Sequence, residues 1–254
     1  MFSLKNKVVL ITGGYGYLGR GISEALSDNG AKVYVLGKDE GKFNEAFESS
    51  NSIYFRRIDV STTSSIKSCF KEISDETGRV DVLINNAFYI SGQDPENMTD
   101  EEWFMGIDGT LSSTFRCIRE IIPYFKKQSS GKIINVSSIY GIASPDFTIY
   151  EQFPQFLNPP HYGAAKAGII QLTKYYAAYL SRYKINVNCV SPGPFPSEKV
   201  SEYKSFVKQL SKSVPLQRVG QPDDLKGIFV LLSSDSSDFI TGQNVVVDGG
   251  WTIW

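Results

Sequence analysis

Histidine is almost absent from this chain, and cysteine is scarce. The 254 residues include one histidine, His161, and three cysteines, Cys69, Cys117 and Cys189. A single histidine excludes a multi-histidine metal centre, and no metal ligands are expected. Three widely spaced cysteines without a Cys-x-x-Cys pair predict neither a disulfide framework nor a zinc site.

Long apolar runs and an excess of one charge are also missing. No run approaches the roughly 18 apolar residues of a membrane span, and Val8–Ile11 is too short for the apolar core of a signal peptide. The formal net charge is −1. This balance argues against a nucleic acid or an anionic membrane as the main partner. We therefore expect a soluble protein of the reducing cytoplasm.

What the sequence does contain is an alternation of short β-branched runs and longer periodic stretches from start to end. Such alternation predicts a single α/β domain over 1–254, with a doubly wound parallel sheet of about seven strands covered by helices on both faces. The expected strands are Val8–Ile11, Lys32–Leu36, Ile53–Ile58, Val82–Ile84, Lys132–Val136, Asn186–Val190 and Val245–Val247.

One predicted helix follows a capping box at Thr99–Glu102. Gly106 and Gly109 should weaken this helix, and Pro123 should kink it or thin its last turn. Its expected apolar face comprises Trp103, Ile107, Leu111, Phe115, Ile118, Ile122 and Phe125.

A glycine-rich turn follows the first strand and should open a helix. It reads Thr-Gly-Gly-Tyr-Gly-Tyr-Leu-Gly over 12–19. Glycines allow the backbone to approach a phosphate closely, and a helix N-terminus supplies N–H donors and the positive end of a dipole. The alternative is an ordinary turn, but the position after a first strand favours a dinucleotide site. Its expected residues are Gly13, Tyr15, Gly16, Tyr17, Leu18 and Gly19.

Four further motifs follow in order: Asn85-Asn86-Ala87, the serine pair ending at Ser138, Tyr162-x-x-x-Lys166, and Pro192-Gly193. Together with the glycine turn they resemble the short-chain dehydrogenase/reductase family over essentially the whole chain. The resemblance implies a three-layer Rossmann fold and an oxidoreductase that moves a hydride between NADP(H) or NAD(H) and a carbonyl or secondary alcohol. It also implies a homo-oligomer, either a dimer or a tetramer.

Tyr162 and Lys166 are one helical turn apart, so an ammonium lies near a phenol. This arrangement should lower the phenol pKa, so that Tyr162 can exchange a proton with a substrate oxygen. The resemblance assigns that acid/base role to Tyr162, pKa tuning and a ribose contact to Lys166, and a hydrogen bond to the substrate oxygen to Ser138. It assigns further cofactor contacts to Asp59, Val60, Asn86, Ala87, Pro192, Gly193 and Ser197.

The end of the second strand bears on the choice of nicotinamide. Gly37 occupies the place where NAD-preferring members carry an acid, and Lys38 stands where NADP-preferring members carry a base for the 2′-phosphate. We therefore expect NADP(H) to be favoured over NAD(H), although the neighbouring Asp39 weakens the argument.

The chain also departs from the family pattern. Thr110 stands where the catalytic asparagine is expected, and Phe88 replaces the glycine that usually follows Asn-Asn-Ala. These changes leave open a nucleotide-binding module with impaired catalysis. The Thr-Gly-x-x-Gly-x-x-Gly spacing is that of the extended branch, which includes epimerases and dehydratases, but the length favours the single-domain branch.

The largest departure is an insert at 142–161, between Ser138 and Tyr162, which is rich in aromatic residues and proline. It either shapes the substrate mouth or forms a self-packed loop or subunit contact. His161, at its end, is expected to pack rather than to catalyse. The insert resembles a subgroup linked to bacterial surface-sugar pathways, which suggests a sugar or sugar-acid substrate; a 3-oxoacyl thioester is the alternative. Two tryptophans near the chain end, Trp251 and Trp254, would be costly to leave in water, so a homo-oligomer is expected to cover them.

Overall fold

A parallel sheet of seven strands forms the centre of the protein. The computed structural model describes residues 2–48, 50 and 52–253. The strands are β1 Val8–Thr12, β2 Lys32–Gly37, β3 Ile53–Arg57, β4 Val82–Asn85, β5 Gly131–Val136, β6 Ile185–Pro192 and β7 Asn244–Val247. Their order across the sheet is β3-β2-β1-β4-β5-β6-β7, with parallel pairing throughout. Each strand predicted from the sequence is confirmed.

Helices cover both faces of this sheet. They are α1 Tyr17–Asp28, α2 Glu40–Ala46, α3 Thr63–Thr77, α4 Asp100–Ile107, α5 Ser113–Gln128, α6 Pro160–Leu180, α7 Glu198–Ser201, α8 Lys204–Lys212 and α9 Asp223–Ser233. One apolar cluster joins the sheet to α3, α5 and α6, and a second joins its other face to α1 and α9. Burial on both faces explains why most strands read as continuous apolar runs, and it confirms the predicted doubly wound, three-layer fold.

The capping box starts α4 as expected. The Thr99 hydroxyl accepts a hydrogen bond from Glu102 N at 3.2 Å, and the Glu102 carboxylate accepts one from Thr99 N at 2.9 Å. The helix is interrupted by a π-helical turn at Asp108–Ser112 before α5, and α5 then continues past Pro123. Gly106 is needed here because a Cβ at this position would overlap the His161 ring.

Two side-chain expectations are corrected by the fold. Trp251 is 8% exposed and packs in a third apolar cluster with Phe206 and Leu210 of α8, so the chain itself covers this tryptophan and no partner subunit is needed to do so. Trp254 lies outside the described residues. By contrast, Trp103 and Phe115, on the predicted apolar face of α4 and α5, each remain 37% exposed. Among the helices that the structure describes, none is long and apolar enough to span a membrane.

Candidate active site

A cleft of about 980 Å³ lies at the carboxyl ends of the strands. It runs from the end of β2, past the glycine-rich turn between β1 and α1, to Tyr162 and Lys166 on α6. This is the topological switch point, where strand order reverses between β1 and β4. The predicted site residues that line it are Gly13, Tyr15, Gly16, Tyr17, Leu18, Gly19, Lys38, Val60, Asn86, Ala87, Ser138, Tyr162, Lys166, Pro192, Gly193 and Ser197.

The glycine-rich turn is locked to the Asn-Asn-Ala motif. The Asn86 side-chain amide donates to the carbonyl oxygens of Thr12 and Gly13, each at 3.0 Å. The Thr12 hydroxyl accepts from the backbone N–H groups of Asn86 and Ala87, also at 3.0 Å. A Cβ on Gly19 would overlap the Gly13 carbonyl oxygen, so the first turn of α1 lies directly against the loop. This tight cradle at a helix N-terminus fits the phosphates of a dinucleotide.

Tyr162, Lys166 and Ser138 come together at the other end of the cleft. The Lys166 ammonium lies 5.5 Å from the centre of the Tyr162 ring and donates a hydrogen bond to the Val136 carbonyl oxygen at 2.8 Å. The Ser137 hydroxyl donates to the Lys166 carbonyl oxygen at 2.7 Å, which ties the end of β5 to α6. The long-range contact between β5 and α6 therefore assembles the predicted catalytic group.

Burial dominates the titration of this group. It raises the pKa of Tyr162, and a hydrogen bond with Ser138 opposes that shift. Burial lowers the pKa of Lys166 from 10.5 to about 8. The expected lowering of the Tyr162 pKa is therefore not found, because desolvation of the buried phenol outweighs its hydrogen bond with Ser138.

Phe88 and Thr110, the two residues that depart from the family pattern, have different surroundings. Phe88 is half exposed in the cleft, its ring centre 5.8 Å from that of Tyr162 and 5.2 Å from the Lys166 ammonium. Thr110 lies in the π-helical turn, is 1% exposed and does not line the cleft. Its hydroxyl is buried without a hydrogen-bond partner among the described residues. Thr110 therefore offers an unused, buried hydroxyl in a turn of the type that often marks functional positions.

At the β2 end of the cleft, two acids are engaged by the protein itself. Asp59 does not line the cleft; its carboxylate pairs with the Lys38 ammonium at 2.9 Å. Burial of the Asp59 carboxylate raises its pKa. Hydrogen bonds from Ser61 and Lys38 outweigh that effect, so the pKa of Asp59 lies below its usual value. Asp39 caps α2 by accepting from Lys42 N at 3.1 Å. The Lys42 side chain also lines this end, a second basic group that the sequence motifs did not single out.

The insert 142–161 packs against α8 and reaches the cleft. Phe153 and Phe156 lie with ring centres 5.2 and 4.7 Å from that of Phe206. Tyr150, Phe156 and Asn158 line the cleft, so the insert contributes to the cleft wall. The 0% exposed His161 packs edge-on to Trp103, and its Nε2 lies 2.7 Å from the Ser91 carbonyl oxygen, in agreement with a packing role.

Four further residues that line the cleft belong to none of the sequence motifs. Tyr140 follows Ser138 closely, and Val200 comes from α7, while Phe206 and Leu210 come from α8. Phe206 and Leu210 are four positions apart and form one apolar helix face, a periodic signal that could have been used. Their placement beside the insert depends on tertiary packing.

Three comparisons with known proteins place the chain in a family. A family model described as enoyl-(acyl carrier protein) reductase matches residues 17–252. The 3-oxoacyl-[acyl-carrier-protein] reductase FabG of Chlamydia pneumoniae is 34% identical over 98% of this chain and 98% of that protein. Among solved structures, a short-chain dehydrogenase from Leptospira borgpetersenii with bound NAD⁺ is 35% identical, with a TM-score of 0.87 over 98% of this chain and 93% of that one. A proposed gluconate dehydrogenase from Agrobacterium tumefaciens is 29% identical, with a TM-score of 0.88 over 98% and 97% of the two chains.

The chain therefore belongs to the short-chain dehydrogenase/reductase family. It is an NAD(P)-dependent oxidoreductase that transfers a hydride between a nicotinamide cofactor and a carbonyl or secondary alcohol. The full-length match to single-domain relatives outweighs the glycine spacing that pointed to epimerases and dehydratases.

Proposed function

We propose that Tyr162, Lys166 and Ser138 carry the proton chemistry of this oxidoreductase. The observation that carries the proposal is the meeting of these three side chains at the end of a cleft that begins at the phosphate cradle. The nicotinamide, when bound, supplies or accepts the hydride. Tyr162 passes its phenolic proton to the substrate oxygen during reduction and takes one back during oxidation.

The neighbouring residues support that proton transfer. Ser138 donates a hydrogen bond to the substrate oxygen and holds it beside the Tyr162 hydroxyl. The Lys166 ammonium, four positions further along α6, stabilises the phenolate that forms when the proton leaves. Thr110 acts as a positioning residue, because its buried and unpartnered hydroxyl can hold a water on the path from Lys166 to solvent.

NADP(H) is the favoured cofactor. Gly13, Gly16, Gly19 and Asn86 would cradle its phosphates, and Val60, Pro192 and Ser197 would flank its adenine and nicotinamide ends. Lys38 and Lys42 place two ammonium groups at the β2 end, and the Asp39 carboxylate there is occupied in capping α2. The 2′-phosphate of NADP(H) would compete with Asp59 for the Lys38 ammonium. The ribose 2′-hydroxyl of NAD(H) would need a carboxylate, and both Asp39 and Asp59 are already engaged by the protein.

Lys38→Ala is therefore expected to raise the Kd of NADP(H) by about 10- to 100-fold, the effect of losing one hydrogen bond to a charged group. The Kd of NAD(H), measured on the same variant by fluorescence titration, serves as the internal control and should change little. An equal loss of affinity for both nucleotides would contradict the NADP(H) preference.

The proposed substrate is a carbonyl compound or secondary alcohol of the sugar or sugar-acid type. The mouth combines phenol and amide groups with aromatic rings, and the resemblance to the proposed gluconate dehydrogenase supports this class. A 3-oxoacyl thioester is the second candidate, favoured by the similarity to FabG proteins and by the apolar side chains of Val200, Phe206 and Leu210.

Substrate class is tested by following NADPH fluorescence with a ketohexose, a 2-oxo sugar acid and acetoacetyl-CoA. Consumption with the ketohexose or the sugar acid at a kcat/KM above that for acetoacetyl-CoA supports the first candidate. The reverse order of kcat/KM supports the second candidate. If NADPH is consumed with none of the three compounds, both candidates are contradicted.

A homo-oligomer is proposed because large apolar side chains stay exposed on helices that pack side by side. Phe104 of α4 is 67% exposed and Tyr175 of α6 is 61% exposed, and Met105, Phe115 and Tyr179 are also exposed. The three cysteines are free and buried, which is compatible with the proposed reducing cytoplasm.

Light scattering is expected to give the mass of a dimer or tetramer, and Phe104→Glu should shift it towards the monomer by burying a charge at the contact. Phe2→Glu, which changes an exposed phenylalanine near the N-terminus, is the matched control and should leave the mass unchanged. A monomeric wild-type protein would refute the oligomer.

A further inference from the structure

The insert 142–161 brings Tyr150 beside Tyr140, so that two phenols pair at the substrate end of the cleft. Tyr140 follows Ser138 by two positions, and its backbone N–H donates to the Ser138 hydroxyl at 3.2 Å. The hydroxyls of Tyr140 and Tyr150 are hydrogen-bonded to each other, and both residues line the cleft. The insert therefore places Tyr150 one hydrogen bond away from a residue that touches the proposed catalytic serine.

This pair keeps hydrogen-bonding capacity for a ligand. Two hydroxyls carry two protons, and their mutual hydrogen bond uses one of them. One proton and several lone pairs therefore remain unused by the pair. Burial raises the pKa of both phenols, so the pair stays protonated and uncharged.

Asn158 adds a second neutral polar group from the same insert. It is half-buried and lines the cleft, and none of the described residues hydrogen-bonds its side-chain amide. A hydrocarbon chain lying across Asn158 would leave the amide unpaired, which costs binding energy. A hydroxyl or carbonyl oxygen would satisfy it.

Few charged side chains line this end of the cleft. Of the charged side chains that line the cleft, Lys38, Asp39 and Lys42 lie at the β2 end, and Lys166 alone lies near Tyr162. Lys166 already donates to Val136 and is 3% exposed. The mouth therefore suits uncharged oxygens, while the rings of Phe156 and Phe206 provide surface for C–H groups.

The insert is held in place rather than loosely attached. The Gln93 amide donates to the carbonyl oxygens of Pro154 and Leu157 at 3.1 and 2.8 Å, and Tyr150 packs on Phe206 with ring centres 5.8 Å apart. The 5% exposed Tyr150 cannot swing out without breaking these contacts. Such preorganisation is what a specificity site requires.

We propose that Tyr150, paired with Tyr140, and Asn158 form a subsite that binds uncharged oxygens next to the reacting carbon, so that the substrate is a hydroxylated carbonyl compound or the corresponding polyol. This inference rests on the proposed function and narrows its substrate class. It makes Tyr150 and Asn158 specificity determinants built by the insert, separate from the groups that transfer the proton.

The test compares kcat/KM for 2-hydroxycyclohexanone and cyclohexanone, a neutral pair that differs by one hydroxyl beside the carbonyl. The wild-type protein with NADPH should prefer the hydroxylated ketone. Tyr150→Phe, which keeps the ring and its packing, should lower that ratio by about 10-fold, and Asn158→Ala should also lower it. Tyr203→Phe removes a hydroxyl from a ring 4.9 Å from Phe156 but outside the cleft, and it should not change the ratio.

The outcomes separate the two proposals. Reduction of both ketones with the same ratio in the wild type, Tyr150→Phe and Asn158→Ala would overturn the subsite and leave the proposed function standing. A wild-type preference for cyclohexanone would do the same. If neither ketone is reduced, the subsite is overturned, and turnover of the ketohexose, the sugar acid or acetoacetyl-CoA shows separately whether the proposed function stands.

Discussion

Tyr162→Phe is expected to lower kcat by at least about 1,000-fold, within the range that general acid–base catalysis contributes. The substitution removes the phenolic oxygen that exchanges the proton and keeps the ring that packs beside Phe88, 5.8 Å between centres. Cofactor binding and the free energy of unfolding should change little. Initial rates with NADPH and a reducible ketone measure the loss.

Tyr175→Phe is the matched control for this loss. Tyr175 lies on the same helix, α6, but is 61% exposed and does not line the cleft. Its variant should retain wild-type kcat. Activity that survives Tyr162→Phe would remove Tyr162 from the proton transfer.

Lys166→Met should abolish most of the activity and, at the same time, stabilise the protein by about 2 kcal/mol at pH 7. Burial lowers the pKa of Lys166 from 10.5 to about 8, and a shift of this size corresponds to about 3 kcal/mol of lost stability. Loss of the hydrogen bond to Val136 offsets about 1 kcal/mol of that gain. A buried catalytic charge held at the expense of stability is a common trade-off.

The stabilisation by Lys166→Met should depend on pH in a defined direction. Below pH 8 the lysine is protonated in both the folded and unfolded chain, so the wild type carries the full penalty of the buried ammonium. Between about 8 and 10.5 the unfolded chain binds more protons, so wild-type stability rises relative to that of the variant and the difference closes.

Urea unfolding of both proteins at several pH values measures this difference. Lys174→Met, at an exposed lysine of α6, is the control and should show no comparable gain. A difference between wild type and Lys166→Met that widens above pH 8 would contradict the assignment of a lowered pKa to Lys166.

Several features of the fold were predictable because their signals are local. Each strand is a short β-branched run buried on both faces, and the capping box at Thr99 and Glu102 forms as its spacing indicates. Two pairs of residues fit the pattern Tyr-x-x-x-Lys, and the order of the motifs along the chain singles out Tyr162 and Lys166. Tyr34 and Lys38 also fit Tyr-x-x-x-Lys, yet Tyr34 lies in β2 with its hydroxyl bonded to Glu76 at 2.6 Å, where no cofactor can reach it.

The broken helix was harder to predict from local pattern. The apolar repeat from Trp103 to Phe125 predicts one continuous helix. Gly106 and Gly109 indicate only that this helix is less stable, without predicting an interruption. The reason for Gly106 is His161, a residue far along the chain whose ring occupies the space of a Cβ. Such contacts between distant segments leave no periodic signal.

The sequence by itself determined the architecture, the family and the identity of the side chains that meet at the cleft, because strand and helix periodicity and motif order are written within short segments. Only the tertiary structure decided how those side chains behave. Desolvation set the pKa directions of Tyr162 and Lys166, burial against α8 removed Trp251 from the surface, and packing on Phe206 turned the insert towards the cleft. Each of these depends on how much water the folded chain excludes around a group, which is settled by residues distant in sequence.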